Sequence, residues 1–135
     1  MQELNFNKEK FKATCQKYNL SLVILHGSYT KGILSPKSDV DVGFLGEPDI
    51  IKEKYIDILR DFSEFFGDKF DPVFLNGAEA MITYQVALGG IPLYEKSPGL
   101  FNTFKLAAIS RYMDTKKFRI LEKQYIKSAI EGTKQ

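Results

Sequence analysis

Apolar and polar positions alternate in two rhythms along this chain. Over residues 20–25 (Leu-Ser-Leu-Val-Ile-Leu) they form a near-continuous apolar run, as in a strand covered on both faces. From Asp39 the period is two: Asp39 and Asp41 share one face, while Val40, Val42 and Phe44 share the other. A helical period appears over 7–18, where Phe11 and Cys15 stand four apart and predict a helix packed on the sheet. It returns after Asp49, where Ile51, Tyr55, Ile58, Phe62 and Phe65 recur at four, three, four and three. That spacing predicts one amphipathic helix, N-capped by Asp49 and ended by Gly67. Residues 69–75 (Lys-Phe-Asp-Pro-Val-Phe-Leu) read as a third strand with Asp71, Val73 and Leu75 on one face. Pro72 has no N–H for a ladder and so suits an edge strand. Asn76-Gly-Ala-Glu79 has the form of a capping box opening a helix through Met81, Ile82 and Val86 to Gly89-Gly90. A short strand-like piece, 91–94, follows. Ser97 and Pro98 then suit the N-cap and first position of a long C-terminal helix, kinked or divided at Asp114-Thr115.

The chemistry concentrates where the first strand meets the second. Gly27-Ser28 directly follows the apolar strand, and a strand turning on glycine into a short helix (29–32) presents N–H groups that favour a phosphate. Asp39 and Asp41 repel each other unless cations lie between them, and magnesium is the natural cation for carboxylates and phosphates. Gly43, next on the acidic face, has no side chain and leaves space for a ligand. A phosphate cradle and an acid pair on adjacent strands describe a nucleotidyl-transfer site. Gly27-Ser28, ten intervening residues and Asp39-Val40-Asp41, with Gly32 and Ser38 also in place, resemble the minimal nucleotidyltransferases of the DNA polymerase β superfamily. Gly89-Gly90-Ile91-Pro92-Leu93-Tyr94-Glu95 and Arg111-Tyr112-Met113-Asp114 extend the resemblance to the antitoxin adenylyltransferases of type VII toxin–antitoxin pairs, over nearly the whole chain.

The resemblance implies an α/β (α+β) fold: a small mixed β-sheet flanked by helices, a polymerase β-like nucleotidyltransferase core, and a long C-terminal helix. It implies one domain over 1–135, with the core at 7–95 and the helical segment at 97–131. Asp39 and Asp41 would hold two Mg2+ ions, and Asp71 would be the third ligand and general base, although Asp71 alternatively starts a turn before Pro72. Gly27, Ser28 and Ser38 would bind the nucleotide, with ATP as the implied substrate. The implied acceptor is a tyrosine of a HEPN-type ribonuclease toxin, silenced by AMP. An aminoglycoside-type small-molecule transferase would use the same motif, and a catalytically silent antitoxin would act by contact alone.

Composition narrows these readings. A length of 135 residues suits a single domain, and 44% hydrophobic with 27% charged residues is ordinary for a globular protein. With one cysteine and one histidine, neither an internal disulfide nor a zinc cluster is expected, and Cys15 reads as a core residue. His26, the sole histidine, reads as a strand-end side chain supporting the turn and is left outside the catalytic set. The N-terminus is polar and amphipathic, unlike a signal peptide, and no apolar run spans a bilayer, so a cytoplasmic protein without membrane contact is expected. A net charge of +2 argues against direct nucleic-acid binding. The basic residues gathered after 100 (Lys105, Arg111, Lys116, Lys117, Arg119, Lys123, Lys127) form either a solvated helix face or a contact surface. The apolar stripe of the same helix either packs on its own sheet or docks a partner. Lys31 and Lys37 suit either a triphosphate contact or the solvated surface.

Overall fold

A computed structural model describes residues 6–27 and 39–133. A four-stranded mixed sheet has the order β3-β2-β1-β4, from β1 (Leu20–His26), β2 (Val40–Gly46), β3 (Phe70–Phe74) and β4 (Ile91–Glu95). β1 pairs antiparallel with both β2 and β4, while β2 and β3 run parallel. Because β3 lies at the edge, Pro72 is tolerated there, opposite Val42. Helices cover both faces, so β1 is buried on both sides and needs no alternation. Leu20, Val23 and Leu25 face one cluster, and Leu22 and Ile24 face the other.

The first face is covered by α1 (Lys8–Lys17) and α3 (Tyr55–Phe66). Asn7 caps α1, its side chain accepting hydrogen bonds from the Glu9 and Lys10 amides at 3.0 and 3.1 Å. Phe11 and Cys15 of α1 are buried as their spacing requires. Phe62 packs edge-on to Phe11 at 5.7 Å and to Phe44 at 4.9 Å between ring centroids. Truncating such a fully buried ring costs roughly 3–5 kcal/mol.

Several boundaries depart from expectation. The helix expected after Asp49 is two: α2 (Pro48–Glu53) and α3, broken at Lys54. Glu47, with Pro48 after it, occupies the N-cap of α2, and Asp49 lies in the first turn. The break rotates the apolar face, so Phe66 is buried in α3, while Tyr55 is exposed. Gly67 ends α3 at φ 79°. Asn76 forms no capping box. Its amide donates to the Gly46 carbonyl at 2.6 Å and accepts from the Gly46 N–H at 3.1 Å, closing the end of β2. The helix beyond, α4 (Ala80–Gly89), is preceded by Glu79 without a side-chain cap.

The second face is covered by α4 and α5 (Leu100–Thr133), with Val86 and Phe101 against Leu22, Ile24 and Leu75. Ser97 and Pro98 lie before α5 rather than within it; instead the Glu95 carboxylate accepts from the Phe101 N–H at 3.1 Å. α5 is continuous through Asp114-Thr115, so at 34 residues it is about 50 Å long. Tyr112 stacks on Tyr84 of α4 at 4.0 Å, and Arg111 donates to the Ala78 carbonyl at 3.0 Å. Beyond this anchor Lys116 to Gly132 are all exposed. Among the described residues no helix is long and apolar enough to cross a membrane.

Candidate functional site

The topology brings four strand ends to one edge of the sheet. β1 ends at His26 and Gly27, and β2, antiparallel to it, begins there with His26 opposite Asp41. β3 is parallel to β2 and therefore also begins at this edge, with Asp71 directly opposite Asp41. β4 starts beside Leu25 at Ile91, just after the C-terminal end of α4. Cross-strand neighbours project to the same side, so His26, Asp41 and Asp71 form a row across three strands.

The turn after β1 is fitted to this row. Gly27 adopts φ +80°, where any side chain is strained. A β-carbon there would also overlap the Asp41 carboxylate and lie 2.9 Å from its carbon. Only glycine lets the backbone approach the acid so closely.

Burial, a hydrogen bond to Asp71 and the charges of Asp71 and Asp39 push the Asp41 carboxyl up to about 6. Each of these disfavours the ionised form of Asp41. Burial lowers the His26 imidazole below its ordinary range, opposed in part by the charge of Asp71. Its Nε2 is buried without a hydrogen-bond partner among the described residues. Asp39 stands exposed immediately before β2. Among the described residues, no three His, Cys, Asp or Glu side chains are already gathered into a metal cluster.

Asp39, Asp41, Asp71 and Gly27 thus lie at one edge. Ser28 and Ser38, with Lys31, Lys37 and the short helix expected at 29–32, lie outside the described residues. Gly43 does not open space for a ligand. It is buried, and a β-carbon there would lie 3.2 Å from Leu75 and 3.6 Å from Val86, so core side chains fill the gap.

Beside the acid row opens a cleft of about 650 Å3, lined by His26, Gly27, Asp41, Gln85, Leu88 and Gly89. Its far wall is the C-terminal half of α4, which sequence reasoning did not single out. The signal available was the position of Gln85 and Leu88, three apart and just before Gly89-Gly90. Placing them opposite the acids requires knowing that β4 pairs with β1.

Residues 9–99 match the family described as Polymerase beta, Nucleotidyltransferase. No curated protein matches the chain. Among solved structures, a toxin–antitoxin complex with AMP-PNP is similar at a TM-score of 0.67 and 21% identity, covering 90% of this chain and 98% of that one. A tri-AMPylated Shewanella oneidensis HEPN toxin in complex with its MNT antitoxin is similar at 0.60 and 19% identity, covering 88% and 94%. An MntA–HepT toxin–antitoxin structure is similar at 0.60 and 18%, covering 88% and 95%.

Proposed function

Since the chain belongs to the polymerase β nucleotidyltransferase family, we propose that it transfers AMP from ATP to a tyrosine of a cognate HEPN-type toxin and thereby acts as its antitoxin. The observation that carries this reading is the row formed by Asp41 and Asp71 in parallel register against a glycine turn that no side chain could replace. The similar toxin–antitoxin folds, one of them with an AMPylated HEPN toxin, support the choice of acceptor.

The site's chemistry suits divalent cations and a triphosphate. Burial and the neighbouring Asp71 and Asp39 disfavour the ionised Asp41 carboxylate, a cost that a bound cation relieves, and the buried His26 Nε2, unpartnered among the described residues, belongs to the same row. Asp39, Asp41 and Asp71 would hold two Mg2+ ions, which when bound would neutralise phosphate charge and lower the acceptor hydroxyl's pKa. Gly27 lets the phosphates approach the backbone, and Ser28, with Ser38, would hold them. The acceptor oxygen forms a bond to the α-phosphorus, the bond from that phosphorus to the bridging oxygen breaks, and pyrophosphate leaves. Asp71, at the open edge of the sheet, takes the acceptor's proton. The protein's work is positioning and charge stabilisation.

The exposed face of α5 carrying Phe118, Leu121 and Tyr125 is the proposed docking surface for the toxin. Phe118, Leu121 and Tyr125 are 68, 63 and 77% exposed and recur at three and four residues on one face. At about 100° per residue Lys123 and Lys127 fall on the opposite side of the helix, beside Ile126, so the face offered to the toxin is apolar and aromatic and suits an apolar groove.

The test is incubation with labelled ATP, Mg2+ and the product of the neighbouring gene. Label on a toxin tyrosine, lost in Asp39→Asn with Asp41→Asn, is expected. Label on an aminoglycoside instead, or tight toxin binding with no label, would overturn the reading. Leu121→Glu should weaken toxin binding at least tenfold and leave the fold unchanged.

A further inference from the structure

The cleft beside the acids has two unlike walls, and the difference dictates how a nucleotide lies in it. One wall is Gly27 and Asp41, where the phosphates belong on the nucleotidyl-transfer reading, on which this inference rests. The opposite wall is Gln85, Leu88 and Gly89. Gln85 and Leu88 are three apart on α4 and so share one face. Leu88 is 51% exposed and lines the cleft, offering it an apolar surface. Gln85 is exposed, and its amide presents one acceptor and two donor hydrogens.

This wall runs to the C-terminal end of α4, which closes at Gly89 and Gly90. Here the last carbonyls lack helical partners and carry the negative end of the helix dipole. That field repels a phosphate and attracts an N–H donor. The triphosphate is therefore directed to the glycine turn and the base to α4.

We propose that Gln85 is the residue that selects adenine, with Leu88 as the apolar surface against which the base lies. A glutamine amide fits adenine in a bidentate manner, accepting from N6–H and donating to N7. Guanine presents acceptors at both O6 and N7, which would set its O6 against the glutamine oxygen and the helix carbonyls. The mid-helix exposed position of Gln85 makes Gln85→Leu conservative for folding.

The experiment is competition of unlabelled ATP, GTP, CTP and UTP against a fluorescent ATP analogue, with Mg2+ present, on the full chain. The wild type is expected to prefer ATP over GTP by about 10- to 100-fold. In Gln85→Leu that preference should collapse to within about threefold, mainly through weaker ATP binding. Leu88→Ala should weaken all four nucleotides alike and keep the preference. In transfer assays the Gln85→Leu effect should fall on KM for ATP, with kcat at saturating ATP retained. A preference for ATP unchanged in Gln85→Leu, or equal binding of ATP and GTP by the wild type, would overturn this assignment alone. Failure of the wild type to bind any nucleotide would overturn the nucleotidyl-transfer reading with it.

Discussion

Replacing Gly27 by alanine adds one carbon at the most crowded point of the site. The backbone there has φ +80°, and an L-residue in such a conformation costs roughly 1–2 kcal/mol. The new carbon would also overlap the Asp41 carboxylate and stand 2.9 and 3.2 Å from its Cγ and Cβ. Relief requires the carboxylate to move by about 1 Å, or the turn to open, at a further cost of roughly 1–3 kcal/mol. The sum, roughly 2–5 kcal/mol, is a large share of a small domain's stability of about 5–15 kcal/mol. A displacement of about 1 Å at the reacting centre lowers transfer about 100-fold. Urea denaturation would give the first quantity, and single-turnover AMP transfer at saturating ATP the second. The two should separate at low temperature, where the variant is folded but slow. A folded Gly27→Ala protein transferring AMP within threefold of the wild type would refute the tight fit between the turn and the acid.

Asp41 makes stability depend on pH in a definite direction. Its folded pKa, about 6, lies above the ordinary 3.8, so the metal-free protein loses stability as pH rises through that interval and no further above it. Asp41→Asn should remove that loss, leaving the variant more stable than the wild type above pH 6 in chelator, yet inactive; urea midpoints across pH would show it. Gly43→Ala should lower stability by about 1 kcal/mol, because Leu75 must give way, and leave KM for ATP unchanged. Asn76→Ala deprives both Gly46 backbone groups of their partner and should cost roughly 1–3 kcal/mol in chemical denaturation, with little change in kcat.

Much of the architecture is legible in the residue pattern because burial imposes period. Phe11 and Cys15, the run from Leu20 to Leu25, and Val42 with Phe44 all lie where their spacing puts them. Gly67 ends its helix by the positive φ expected of it. Caps were less legible. Asp49 and Asn76 have the right chemistry for an N-cap, but Pro48 starts its helix one residue before Asp49, and Asn76 finds the open end of β2 instead. A side chain able to satisfy several backbone groups goes to whichever the packing leaves unpaired. The unbroken reading of 49–66 failed at Lys54 for a similar reason: period three-and-four survives a single offset turn.

Local order along the chain was sufficient to place Asp41 at the start of its strand and Gly27 in the turn after β1, since alternation and turn chemistry act between near neighbours. Strand order was not available from it. Only the tertiary structure set Asp71 opposite Asp41, filled the space at Gly43 with Leu75 and Val86, and brought the end of α4 over the cleft. It also left Phe118, Leu121 and Tyr125 exposed. Each of these depends on contacts between segments distant in sequence, where periodicity specifies a buried or exposed face but not which segment will meet it.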